Sequence, residues 1–508
     1  MLGFYHMNAA EFEQALAKSH EHLEAGEIVK ALILFKKLTR QRPKEARAWV
    51  GYGLAALGYG QMETAEKAWR TAKELEPRNP ALLLDLGHKF QGLRQPEMAE
   101  ALFKEAAAID PAAIDPRICL ALLMEKGQRF DEACKVVDEC FGINPADEQA
   151  RYVSALLNQR LKKLELSERE LRELIASEPK HEYVRYAARY ELAQILDRAG
   201  RFEEAMRLLI EAKDIVMKLA DPKVLANQYD TSAGKLRDAA AQHPKNVLHT
   251  WAKSFPEKSR ASIPPLAFLG GHPRSGTTLI EQVLGSHPDI GAIDEPEVTP
   301  IALAACAGQS WSPISSRLNV ARKNYIEALK KALGAEGGRK LYLEKNPSPT
   351  AMLPALLRVF PELRVIVAIR DPRDVVLSCY FQNIPLNQVN ANFLTFDRLV
   401  KHYTDLMDVW LSVRQWEGLS WIETRYEDTV ANLEKEGRRI TGFLGLEWHE
   451  DQSLFFDRSN KKQLYSPTYH DVTQPVYTRS VSRWRNYEKY LSPILPALEP
   501  YCRRFGYD

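Results

Sequence analysis

The chain is poor in the features that would place it outside the ordinary soluble classes. It has only six cysteines in 508 residues, with no Cys-x-x-Cys pair and no histidine at zinc-ligand spacing, so neither a disulfide framework nor a structural zinc site is expected. Reduced thiols and a cytoplasmic location are the expectation. It has no surplus of either charge: 69 Lys and Arg stand against 67 Asp and Glu, which argues against bulk attraction to nucleic acid. It has no apolar run near the roughly 20 residues of a membrane span, and its start turns acidic before a signal-peptide core accumulates. Membrane insertion is therefore not expected.

What is present first is a period. Pro43, Pro77, Pro111, Pro145 and Pro179 are each separated by 34 residues, the tetratricopeptide interval. Trp49, Gly53, Gly60, Ala65, Trp69 and Ala72 fill the small and large slots of one unit, and Gly87, Ala99, Phe103 and Ala106 repeat them in the next. Small residues let the two helices of a hairpin approach, aromatics fill the gap to the neighbouring hairpin, and proline ends each second helix. Gly200 and Ala205 fall four positions beyond strict register, which predicts an insertion near residues 180–188. The reading gives a repeat array over 1–218, a helical connector over 219–263 and a second domain from Pro264-Pro265 to residue 508.

After Pro265 the pattern changes to buried strands alternating with helices. The candidate strands are LAFLGG, KLYLEK (340–345), LRVIVAIR (363–370) and SWIETRY (420–426). They imply a parallel α/β sheet covered on both faces. The chain is thus an all-α solenoid followed by an α/β domain of P-loop-like type.

The first strand runs into FLGGHPRSGTTLIEQVL, where Gly271 and Gly276 keep the Walker spacing. Thr277 stands where the lysine belongs, and Arg274 lies inside the loop. Such a strand–glycine loop–helix offers backbone N–H groups to an anion. The missing lysine argues against ATP or GTP, and the later strand ends on Arg370 where a metal-binding acid would be expected.

PRSGTTL after one strand and RDPRDVVLS after another, with EKNPSPT, RYEDTV, FLGLEW and PVYTRSVSRWRNYEKYL in the same order, resemble the sulfotransferases that use 3′-phosphoadenosine 5′-phosphosulfate (PAPS). The resemblance is to tetratricopeptide-fused bacterial members and to tyrosylprotein sulfotransferases, and it covers the second domain. It implies that Arg274, Ser275, Gly276, Thr277 and Thr278 cradle the 5′-phosphosulfate and that Arg370 and Ser378 take the 3′-phosphate. It further implies Glu295 as the base that deprotonates the acceptor, with Asp294 and Glu297 as neighbouring carboxylates able to substitute. Lys345, with Arg274, would stabilise the leaving oxygen. Tyr426 would lie near the adenosine, and Ser480, Arg483 and Trp484 would form a loop closing over the nucleotide. No metal is required. The implied acceptor is a hydroxyl, foremost a tyrosine of a protein or peptide held by the repeats. A carbohydrate or small-molecule hydroxyl, or an inactive scaffold, are the alternatives. Two positions depart from the family: Glu297 stands where the tyrosylprotein enzymes carry an arginine, and Arg483 replaces a more usual lysine. His402, on a helix otherwise patterned for packing, is a distant alternative base.

Overall fold

The computed structural model describes residues 7–255, 263–296, 298–306, 315–456 and 478–507. The chain divides into two compact units, Met1–Leu174 and Ile175–Asp508.

The first unit is a run of helix–turn–helix hairpins of tetratricopeptide type, from Ala9–Glu24 and Ile28–Gln41 to Glu148–Arg160 and Leu164–Ala176. The 34-residue period is written in the backbone as well as in the prolines. Gly26, Gly60, Arg94, Gln128 and Lys162 recur at that interval, all with positive φ, each in the turn after the first helix of a pair. Pro77, Pro111 and Pro145 stand directly after the C-cap residues Glu76, Asp110 and Asn144 of the second helices. Packing explains the small slots. A methyl on Gly53 would sit 2.1 Å from the Trp69 indole nitrogen, and one on Gly87 would sit 2.3 Å from the Phe103 ring. Trp69 also reaches the next hairpin, meeting Phe90 edge-on with ring centroids 5.9 Å apart. Ser167, which occupies an alanine slot, is buried and donates its hydroxyl to the Ala155 carbonyl at 2.7 Å.

The second unit begins with the helix pair Glu182–Arg198 and Phe202–Leu219, which the proline period groups with the repeats but which belongs here by its contacts. Gly200 keeps the positive-φ turn, 38 residues after Lys162, as the expected insertion requires. Two connecting helices follow, Pro222–Gln242 and Val247–Ala252. Arg398 of helix Phe396–Val413 binds Asp230 at 2.9 Å and Arg237 binds Asp405 at 2.9 Å, tying the longer connector to the α/β domain.

The sheet has five parallel strands: β1 (Leu266–Gly271), β2 (Ile290–Asp294), β3 (Leu341–Lys345), β4 (Arg364–Ile369) and β5 (Ser420–Arg425). Their order is β2-β3-β1-β4-β5. Four strands match the expected ones. The fifth, β2, is not among the strands expected from sequence. Ala267, Leu269, Leu343, Ile366 and Ala368 pack with Ile280 and Leu284 of helix Thr277–Gly285 and Ile440 of helix Leu433–Phe443, which closes one face. The central position of β1, with β3 on one side and β4 on the other, makes its carboxyl end the point where the chain direction of the winding reverses.

Candidate active site

Every strand delivers a candidate residue at its carboxyl end. β1 runs into the glycine loop, β2 ends on Asp294 with Glu295 next, β3 ends on Lys345, β4 is followed by Arg370, and β5 by Tyr426. The strand order therefore sets the carboxylates and lysine on one side of the loop and the second arginine and tyrosine on the other.

The loop is held by local strain and by a side chain from elsewhere. Gly271 has φ +125°, and a Cβ there would lie 2.3 Å from the Ala368 carbonyl oxygen of β4. Its N–H donates to Thr350 Oγ1 at 2.8 Å. Arg274 adopts φ +74°, a left-handed conformation that a non-glycine residue occupies only where its surroundings impose it. Gly276, φ +93°, caps helix Thr277–Gly285, and a Cβ there would meet the Tyr426 ring at 2.8 Å. Ser275, Thr277 and Thr278 are buried.

On the β2–β3 side, Lys345 is 0% exposed and its Nζ donates to Asp294 Oδ1 at 2.6 Å and Glu295 Oε1 at 2.8 Å. Burial alone would lower the lysine pKa, but the two carboxylates more than reverse this and hold it above its ordinary value. The carboxylates differ in access: the Asp294 side chain is 5% exposed and the Glu295 side chain 36%. The Glu295 backbone is bent to φ +47°, and its N–H donates to the Lys345 carbonyl at 2.7 Å. Lys345 is thus charge-balanced by a buried aspartate, while a reachable glutamate shares the same ammonium. Glu297 lies outside the described residues.

On the β4–β5 side, Arg370 Nη1 donates to the Arg274 carbonyl at 3.1 Å and Nη2 to the Ser480 carbonyl at 2.6 Å. Its guanidinium lies 4.7 Å from the centre of the Tyr426 ring. Three buried polar atoms around it, Arg370 Nε, Asp374 Oδ2 and Trp484 Nε1, have no hydrogen-bond partner among the described residues. Asp374 accepts from the Trp484 N–H at 2.7 Å, and burial, partly offset by Arg370, pushes its carboxyl up to about 6. Arg373 lies 4.2 Å over the Trp484 ring. Unsatisfied buried polar groups are uncommon and require a cause, and a cluster beside a glycine loop fits a polar ligand.

Several expected residues also make contacts that the motifs do not suggest. Ser378, paired in sequence with Arg370, accepts from Arg274 Nε at 3.1 Å, so the hydroxyl bridges the helix Pro372–Tyr380 to the loop. Arg483 turns to Asp197, with NH2 3.0 Å from the carboxylate, and stacks 4.0 Å over Phe381. It thereby anchors the segment whose Ser480 carbonyl and Trp484 ring meet Arg370 and Arg373. His402 is buried and its Nδ1 lies 2.7 Å from His272 Nε2, inside the packing of Phe393 and Tyr229. Burial pushes His402 well below the ordinary histidine value, and His272 adds to this. Thr350 and Asp374 were not singled out from sequence. Thr350 lies within the EKNPSPT motif, whose threonine is the only signal for it.

Residues 265–450 match the sequence model of the sulfotransferase family, and residues 10–246 match that of the N-terminal domain of the ESX-1 secretion system protein EccA1. An uncharacterized protein of Aquifex aeolicus is 25% identical over 450 residues, 85% of this chain and 52% of its own, so the chain spans about half the length of that relative. Protein-tyrosine sulfotransferase 1 of Danio rerio is 27% identical over 273 residues, 48% of this chain and 72% of its own. Protein-tyrosine sulfotransferase A of Caenorhabditis elegans is 24% identical over 314 residues, 58% of this chain and 80% of its own. Among solved structures, the sulfotransferase domain of a Synechococcus olefin synthase aligns with TM-score 0.32 at 18% identity, covering 44% of this chain and 88% of that one. Behind a tetratricopeptide-like helical array, the chain carries a sulfotransferase-family domain.

Proposed function

We propose that the second unit transfers a sulfuryl group from PAPS to an acceptor hydroxyl, and that the acceptor is a tyrosine of a protein or peptide. The observation that carries this reading is the convergence of all five strand ends, which sets a carboxylate–lysine pair and an arginine–aromatic pair on opposite sides of one glycine loop. Adjacent strands are about 4.8 Å apart, so the two groups are separated by roughly the length of a nucleotide's phosphate and sugar.

The residues fit a nucleotide with an anionic group at each end. Gly271 and Gly276 let the loop lie against Ala368 and Tyr426 where a Cβ would clash, and Ser275, Thr277 and Thr278 supply donors for a 5′-phosphosulfate. Arg370 holds two main-chain carbonyls, weaker acceptors than a phosphate, and keeps its Nε unpaired. Those features suit it to a 3′-phosphate, with Tyr426 beneath the guanidinium and Trp484 nearby for the base. Arg274 places the Ser378 hydroxyl beside the same loop. When bound, PAPS supplies an electrophilic sulfur whose transfer leaves a phosphate oxygen with added charge.

Glu295 is the carboxylate an acceptor can reach, and it is assigned the removal of the acceptor proton. Lys345 is assigned the charge that develops on the leaving oxygen, with Asp294 keeping it ionised and oriented. The tyrosine assignment rests on the relatives from Danio rerio and Caenorhabditis elegans, both named protein-tyrosine sulfotransferases. Replacing Glu295 with Gln is expected to abolish transfer while leaving stabilisation by adenosine 3′,5′-bisphosphate intact. Turnover within twofold of wild type would assign the proton to another group.

A further inference from the structure

The second unit holds a buried lysine amine that the strand-end site does not use. Lys213, on helix Phe202–Leu219, is 1% exposed. Its Nζ donates to the Tyr190 hydroxyl at 3.0 Å and lies 4.5 Å from the centre of the Tyr380 ring. No carboxylate among the described residues is within ion-pair distance of it, whereas buried Lys345 has two and buried Arg322 has Glu362. An ammonium removed from water without a counter-ion is costly, and contacts with aromatic faces return only part of that cost. Burial pushes the Lys213 pKa down to about 7.

Lys213 also lines a cavity of about 610 Å³, within the usual range of small-molecule sites. Its walls are the helices Glu182–Arg198 and Phe202–Leu219 and residues 382–394. Tyr183, Tyr186 and Phe393 supply aromatic faces, and Gln382, Asn383 and Asn390 supply neutral amides. Glu182 and His181 are the other titratable groups besides the tyrosines. With one amine and one carboxylate, Glu182, among its lining residues, the cavity offers little attraction for a dianion such as phosphate, whereas a single negative charge on an apolar body suits its amine and aromatic walls. We propose that this cavity binds a small aromatic carboxylate whose oxygens accept hydrogen bonds from Lys213. None of the residues lining this cavity is one assigned to the donor, so failure of this proposal would leave the transfer reading untouched, and the reverse also holds.

The test is calorimetric titration of the full chain with phenylacetate and with its neutral counterpart phenylacetamide. Phenylacetate is expected to saturate one site at least tenfold more tightly than the amide. At pH 8, titrations in buffers of different ionisation enthalpy should show a proton taken up, because the carboxylate returns Lys213 to its charged form. The groups next to Lys213 are Tyr190, Tyr380 and Cys379, and Tyr183, Tyr186, Glu182 and His181 line the same cavity. Comparison with Lys213→Met isolates the lysine from all of them, and that variant should lose both the preference and the proton uptake. Ala220→Trp, which fills the cavity and leaves Lys213 in place, should lose both ligands, and it decides the matter if Lys213→Met does not fold. Equal binding of acid and amide, binding unaffected by either substitution, or no binding at millimolar concentration would overturn the proposal.

Discussion

At the residue scale, the best-defined feature is one ammonium shared by two carboxylates of unequal exposure. Removing Lys345 takes from buried Asp294 the ammonium that it binds, so Lys345→Met is expected to destabilise the fold by about 3–5 kcal/mol as well as to stop transfer. Adding Asp294→Asn should restore most of the stability without restoring activity, as read from denaturant midpoints and turnover. A double variant no more stable than the single one would show that the pair is not the source of the loss. Gly276→Ala tests the loop in the same way. The positive φ and the 2.8 Å approach to Tyr426 predict lower stability and weaker nucleotide binding, and a neutral result would mean the loop has freedom that its contacts deny.

At the element scale, β3 carries its chemistry on both faces. Lys345 points to the site, while Glu344 is buried among Tyr325 and Thr299, which both donate to it. Burial raises the Glu344 pKa to about 7, with those donors opposing. A carboxyl whose folded pKa is raised contributes stability that is full below its unfolded value near 4.5 and lost as pH rises through about 7. Glu344→Gln should therefore raise stability at pH 8 by on the order of 3 kcal/mol and change little at pH 4. A gain equal at both pH values would contradict that origin. In the repeats, Gln128 occupies a left-handed turn position where Gly26 and Gly60 stand in earlier units. Gln128→Gly is expected to stabilise by up to about 1 kcal/mol in a melting comparison, and a loss would mean the side chain makes a contact that outweighs the strain.

The elements differed in how plainly the sequence announced them. Strands β1, β3, β4 and β5 were legible as apolar runs. β2 was not, because five residues containing a glycine and an aspartate carry too little periodicity. Gly291 is there because a side chain would crowd the Glu336 carbonyl, 3.0 Å from a built Cβ, and that neighbour is distant in sequence. Motif residues were legible one by one, but their partners were not. The bonds from Arg274 to Ser378 and from Arg483 to Asp197 join positions 104 and 286 residues apart.

At the scale of the whole molecule, a near-neutral chain concentrates its functional charge at one edge of one sheet. Formal net charge is +2, and no helix among the described residues is long and apolar enough to cross a membrane. Under the proposed function, local arrangement rather than overall field selects the nucleotide, and Arg370, just after β4, is assigned its 3′-phosphate. The most direct measurement is calorimetric titration of the intact protein with adenosine 3′,5′-bisphosphate and with ADP. The account predicts that the bisphosphate binds at least tenfold more tightly, a difference of about 1.4 kcal/mol, and that Arg370→Met removes most of that preference. Equal affinities for the two nucleotides would contradict it.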